Sequence, residues 1–406
     1  MVTLMKIKGR FVNKIIKEIS SKYYYSPAIV ARLSFWYSFH RALSIIQALR
    51  RPPKEAVIRV NMLRSNPRYV LEELKSAGLT PRYSDLFREV ITIPIEGPNQ
   101  LEKVDKRIVV KDQAAEEIMM GAPRLYDPGV LEIGENIKPG DKVAIVTKFG
   151  EQIAVGVSHI ASGEKPSGLV VEVHKSLYYK PNLKALKVFI RGFAYEADLA
   201  STQALVMWNP LPGSKVLMIS PRLPDLIWTL SQIKARGEIV VVSKTSLEEE
   251  KLKRGIMSKK LEDLVDKIKW ISGDLKKLSV SSEYFDFIYV HPRSTKTGIR
   301  PRLTAFLKER DFIRCSRDAW FLVAKFSEGL KMNGKLLYIT ESLDPLEGEY
   351  ILERMILEKN LKPIKLPIRF GTRGNPGFKG SEFALRVFPD IHDDIGLFAC
   401  VVTRRE

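Results

Sequence analysis

Cysteine is almost missing from this 406-residue chain: only Cys315 and Cys400 occur. Two thiols exclude a disulfide scaffold and a zinc site built from cysteines, and no metal is expected. Long apolar runs are missing too. None approaches the roughly 20 residues that cross a bilayer, and no signal peptide opens the chain, so the expectation is a cytoplasmic protein with no membrane partner. Acid is scarce relative to base, with 47 Asp+Glu against 66 Lys+Arg and a net charge of +19. What is present is enough hydrophobic residue, 45% beside 28% charged, to exclude wholesale disorder and build a sizeable core. At roughly 100–200 residues per domain, the length suggests two or three domains.

The basic excess is the first functional signal, because strongly cationic proteins commonly partner phosphate backbones. It is concentrated: residues 1–60 hold twelve basic residues against only Glu18 and Glu55. Lys22, Arg50, Arg51, Lys54 and Arg59 are the candidates there for RNA contact. Aromatic residues interleave with them (Tyr23, Tyr24, Tyr25, Phe35, Trp36, Tyr37 and Phe39). Exposed rings can stack on unpaired bases, although core packing is the expectation for most of these.

Apolar spacing at threes and fours predicts a helix over 27–49, ended by Pro52-Pro53. A strand at 56–60, a helix at 67–77 and a strand at 90–93 complete a small α/β element, assigned to 1–104. The texture changes over 105–182, where short strands are punctuated by glycine (Gly121, Gly129, Gly134, Gly140, Gly150 and Gly156), as in a compact β-barrel. From 183 to 406, apolar strands (216–219, 239–242, 287–290, 335–339 and 398–402) alternate with helical stretches (225–235, 247–269, 318–330 and 349–359). That alternation predicts a parallel sheet covered on both faces.

Specific motifs sharpen this outline. AAEEIMMGAPRLYDPGV (114–130), IKPGDKVAIV (137–146) and GEQIAVG (150–156) resemble a PUA domain, a small RNA-binding pseudo-barrel. The flanks resemble the RsmB/Nop/Sun family of RNA cytosine-5 methyltransferases, most closely the archaeal type with an inserted PUA domain. YYSPAIVARLSFWYSFHRALSIIQALRRPPKEAVIRVNMLR (24–64), GEIV (237–240) and LRVFPDIHDDIGLFACVV (385–402) carry that match. The resemblance implies an α/β chain: a Rossmann-like class I methyltransferase-type domain, a small N-terminal α/β element and an inserted PUA β-barrel.

The chemistry of that family does not carry over. Its members bind S-adenosylmethionine on a turn D-x-C-A-A-P-G-G-K, whose glycines let the backbone approach the cofactor. Here the gap-free match is VLMISPRLPDL: Met218 replaces the acid, Ser220 the cysteine, and Pro224 and Asp225 the glycine pair. Ser243 stands where an acid would hold the ribose, and only Asp274, in SGDLKKL, keeps the acid expected near the adenine. The two family cysteines are replaced as well. D-A-P-C-S-G-T-G reads HPRSTKTG, with His291 for the acid and Ser294 for one cysteine, and T-C-S-L reads TESL, with Glu341 for the other. Thiolate addition to the pyrimidine is what those cysteines supply. The surrounding loop is instead basic, through Arg293, Lys296, Arg300 and Arg302, which suits holding an RNA backbone.

The expected function is therefore an RNA-binding protein, for tRNA or rRNA, that descends from a cytosine-5 methyltransferase and has no catalytic residues or cofactor. Two alternatives stand beside it. One is an active S-adenosylmethionine-dependent enzyme with atypical motifs or a partner that completes its site. The other is a scaffold for an active methyltransferase paralogue, with that paralogue or a ribosome-assembly factor as a protein partner.

Overall fold

The computed structural model describes residues 2–234, 236–258 and 261–405. The strand expected at 56–60 is the centre of a four-stranded sheet, ordered Ala194–Ala197, Glu55–Val60, Val90–Pro94, Arg82–Tyr83. Ala194–Ala197 lies beyond the boundary expected at 183, yet it pairs antiparallel with Glu55–Val60. Chain that follows the barrel thus closes the N-terminal sheet. The helix expected over 27–49 is two helices, Pro27–Tyr37 and Phe39–Leu49. They break at Ser38, whose φ of 74° is left-handed and whose hydroxyl accepts from Arg41 N at 3.4 Å. That hydroxyl satisfies one of the free N–H groups that open the second helix. The cations Lys6, Lys8 and Arg10 lie outside the described side chains.

The barrel has six strands between Arg107 and Ser176, with the helix Asp112–Met119 packed on its apolar face. Its placement is fixed by specific contacts. Phe149, at a hairpin tip, stacks on Tyr24 with ring centroids 3.5 Å apart, and Glu151 pairs with Arg50 Nη2. Leu303 N donates to Glu116 at 3.0 Å, and Thr304 Oγ1 donates to Asp112 at 2.7 Å.

In the third unit we label the main strands β1 (Lys215–Ile219), β2 (Glu238–Ser243), β3 (Ile268–Ser272), β4 (Phe285–Val290), β5 (Leu330–Thr340), β6 (Leu385–Val387) and β7 (Leu397–Arg404). They lie in the order β3-β2-β1-β4-β5-β7-β6. β1 to β5 are parallel and β7 is antiparallel to both its neighbours. This is a Rossmann-like, methyltransferase-type sheet. Helices Leu199–Trp208 and Leu223–Gln232 cover one face, and Glu309–Phe326 and Glu349–Glu358 the other. Both faces being dry explains why β1, β2 and β4 read as unbroken apolar runs. β3 escaped that reading: the helix expected over 247–269 ends at Met257, a single turn follows at Glu262–Val265, and β3 begins at Ile268. As an edge strand it carries exposed Lys269 between buried Ile268 and half-buried Trp270, and charges so interspersed imitate an amphipathic helix.

Two glycines of the matched motifs have a packing reason. Gly298 and Gly396 lie backbone to backbone, and a Cβ on Gly298 would meet the Gly396 carbonyl at 2.0 Å. Gly396 N donates to Gly298 O at 2.7 Å, which ties the closing loop to the 291–298 loop.

Candidate functional site

In a sheet of this order, ligands bind beyond the carboxyl ends of the strands, where the connections diverge from β1 and β4. The positions singled out in the sequence converge there. Ser220 follows β1, Ser243 ends β2, His291 follows β4 and Glu341 follows β5. Ser220 is left-handed, φ 48°, a conformation costing an L-residue of order 1–3 kcal/mol. Its N–H donates to Val242 O at 2.8 Å, and its carbonyl faces His291 Nδ1 at 3.3 Å.

The crevice is filled by a residue the sequence reading passed over. Arg222 extends from the turn after β1 to three carboxylates: Asp225 (2.8 Å), Asp198 (3.1 Å) and Glu341 (3.3 Å). Asp225 is fully buried and also accepts from Tyr289 Oη at 2.7 Å. Glu341 reaches His291 Nε2 at 3.2 Å. Burial pushes the Glu341 carboxyl up, but His291, Arg222 and Lys296 outweigh it and hold the group well below the usual carboxylate range. Burial likewise opposes ionisation of Asp225, and Arg222 and Arg59 reverse it. A visible signal existed: Arg222 and Asp225 are three residues apart, on a segment where the family pattern carries alanine and glycine.

These residues do not fit the methyl donor as the family holds it. A guanidinium and the Asp225 carboxylate occupy the turn that glycines would leave open, and Pro224 has no N–H to offer. Asp274 is exposed and spends one carboxylate oxygen on Lys276 N at 3.0 Å, an ordinary turn. Ser243 is buried, with a hydroxyl that has no hydrogen-bond partner among the described residues. Met218 is core.

The nucleophile positions are equally tied down. Ser294 Oγ accepts from Lys296 N at 3.3 Å, and no hydrogen bond joins it to His291 among the described residues. A serine–histidine–acid relay is therefore not assembled, although His291 and Glu341 meet. Cys315 lies in the helix Glu309–Phe326, and burial pushes its thiol up to about 12. Burial raises Cys400 as well. Neither is poised to be a thiolate. Below the TESL turn, Glu347 accepts from Thr295 N (2.9 Å) and from the Ser342 hydroxyl (2.7 Å). Arg386 ion-pairs with Glu349 and donates to Ser342 O at 2.6 Å.

The expected RNA contacts divide in two. Lys22, Arg51, Lys54, Arg293 and Lys296 are exposed, and Arg302 is half-buried, donating to Lys296 O at 2.9 Å. Lys296, at the first glycine of the D-A-P-C-S-G-T-G pattern, has φ 54°, a left-handed conformation that favours glycine. Three others are internal struts. Arg59 is completely buried and donates to Thr202 Oγ1 at 2.6 Å. Arg300 is buried and donates to Pro52 O at 2.7 Å and Arg51 O at 2.8 Å, fastening the double-proline turn. Arg50 is half-buried between the barrel's Glu151 and Tyr23 O. Arg59 and Arg300 are thus corrected as phosphate contacts: their charges are already surrounded by protein oxygen. Between the barrel helix and the basic loop lies a cavity of about 880 Å³, lined by Asp112, Glu116, Arg293, Lys296, Arg302 and Arg314 among others. Among the described residues no helix is long and apolar enough to cross a membrane, and no cluster suits a metal ion.

Comparison with known proteins places these features. Residues 106–177 match the PUA domain family. The chain is 28% identical over 364 residues to the tRNA (cytosine(72)-C(5))-methyltransferase of Pyrococcus horikoshii, spanning 88% of this chain and 91% of that protein. The crystal structure of NSun6 from Pyrococcus horikoshii matches with a TM-score of 0.85 and 25% identity, over 95% of this chain and 99% of the other. A probable tRNA pseudouridine synthase B of Nanoarchaeum equitans is 34% identical over 96 residues, 23% of this chain and 26% of that protein.

Proposed function

From the premise that this chain is a homologue of the RsmB/Nop/Sun RNA cytosine-5 methyltransferases with an inserted PUA domain, we propose that it binds structured RNA, tRNA or rRNA, without transferring methyl groups. The observation that carries this reading is the Arg222 network. A cation held by Asp198, Asp225 and Glu341 fills the crevice with protein charge where the family holds its donor. Two such charges buried together stay only while their partners stay, because removing either leaves the other desolvated. RNA binding then rests on the barrel and on the exposed cations Lys22, Arg51, Lys54, Arg293 and Lys296, which can neutralise phosphates.

Titration of the protein with a tRNA transcript at several salt concentrations tests binding. A steep fall of log affinity with log salt is the expected result, and a flat line would refute the phosphate-driven reading. Calorimetry with millimolar S-adenosylmethionine tests the second half, and only heat of dilution is expected. The buried, unpartnered Ser243 hydroxyl at the end of β2 favours a second reading, in which a partner opens the crevice and methyl transfer survives. Micromolar S-adenosylmethionine affinity would establish that alternative instead.

A further inference from the structure

The helix Glu309–Phe326 buries Phe312, Cys315, Ala319, Leu322 and Val323. Its opposite side carries Arg310, Arg314 and Arg317, all exposed. Spacings of four and three place them on one face. None of these three was singled out in the sequence, because a basic face on an amphipathic helix is ordinary.

Some helix cations have a carboxylate one turn away, as Lys253 has Glu249 and Arg354 has Glu358. Arg314 has Asp311 at 3.0 Å. Arg310 and Arg317 form no hydrogen bond or ion pair among the described residues, and neither does Arg293 on the adjoining loop. Arg314 and Arg293 both line the cavity between the helix and the barrel. The acids of that cavity are already engaged: Asp112 accepts from Lys148 and Thr304, each at 2.7 Å, and Glu116 from Leu303 N at 3.0 Å. The helix face and the cavity mouth therefore form one cationic surface on which Arg314 is paired with Asp311, while Arg310, Arg317 and Arg293 have no anionic partner among the described residues.

We infer that Arg310, Arg314, Arg317 and Arg293 form a phosphate-binding ridge for an RNA strand that continues into this cavity, an extension that rests on the RNA-binding reading above. From Arg310 to Arg317 the helix rises about 10 Å. At 3.4 Å of axial rise per phosphate along one strand, that is room for about three phosphates. Arginine suits the role because its planar fork can take two oxygens of one phosphate.

The test compares two variants of equal charge change. R310A/R314A/R317A should bind a tRNA transcript about tenfold to a hundredfold more weakly, with the salt slope shallower by about 2–3. K251A/K267A/K269A removes three exposed lysines from the β3 edge of the sheet and its neighbouring helix. It should weaken binding less than about threefold, as a general charge effect. Equal losses in both variants would overturn the ridge, and so would unchanged affinity and slope in the arginine variant while the wild type binds. An arginine variant that loses binding to polyglutamate but not to RNA would assign the ridge to an acidic protein and overturn the proposal. If the wild type itself fails to bind the transcript, the RNA-binding reading falls first and takes the ridge with it.

Discussion

Arg222 and Arg317 carry the same group in opposite circumstances. The first sits beyond β1 with three carboxylates within 3.3 Å. The second stands exposed on the helix Glu309–Phe326 with none among the described residues. A guanidinium surrounded by protein anions is structural, since its charge is consumed by the fold. One left without an anion can take it from a ligand. The difference separates two regions of this molecule: beyond β1 the charges of Arg222, Asp198, Asp225 and Glu341 are paired within the protein, while on the surface leading to the barrel Arg310 and Arg317 have no anionic partner among the described residues.

The sharpest way to break that comparison is to remove each arginine in turn. Arg222→Ala would leave Asp198, Asp225 and Glu341 facing one another, and breaking a buried ion pair costs about 3–5 kcal/mol. Arg317→Ala should stay within about 0.5 kcal/mol, as isolated surface changes do. Urea unfolding of both variants measures the contrast, and equal effects would erase it.

A pair of glutamates six residues apart sharpens the same point through pH. Glu341 has cations beside it and is held ionised. Glu347 has only neutral donors, with Asp344 nearby, and burial pushes its carboxyl up to about 7 from an ordinary 4.5. The folded state then holds a proton that the unfolded state releases between pH 4.5 and 7, so Glu347 lowers stability as pH rises through that window. The full effect is up to about 3 kcal/mol. Glu341 acts in the other direction: its contribution is present above 4.5 and is lost as pH falls below. Melting temperatures of E347Q should lose the decline between pH 4.5 and 7, whatever their offset. A decline as steep as the wild type's would assign it elsewhere.

The smallest expected effect is none at all. Restoring both family cysteines, Ser294→Cys with Glu341→Cys, should yield no transfer of labelled methyl to RNA. A thiolate can add to cytosine, but transfer also needs the donor held in line with C5, and Arg222, Pro224 and Asp225 remain in the turn. Labelled RNA from this variant would mean that the donor site persists in another form.

Much of the fold was legible because its signals are local. The apolar runs of β1, β2 and β4, the double proline and the glycine-punctuated barrel all report on neighbours in sequence. So did the exchanged site residues: Ser294 and Glu341 could be read without coordinates. β3 was misread because an edge strand keeps few apolar positions, and the two-helix break at Ser38 depends on a single left-handed residue that no periodicity announces.

The sequence by itself determined that the chain is cationic, that a barrel interrupts an α/β fold, and that its only cysteines are Cys315 and Cys400. Only the tertiary structure decided which cations are available. Arg59 and Arg300 looked like phosphate contacts and became struts, whereas Arg310 and Arg317 looked like solvated helix surface and have no anionic partner among the described residues. The reason is physical. A charge is cancelled by whatever lies within a few ångströms of it, and for Arg222 that includes Glu341, 119 residues away along the chain.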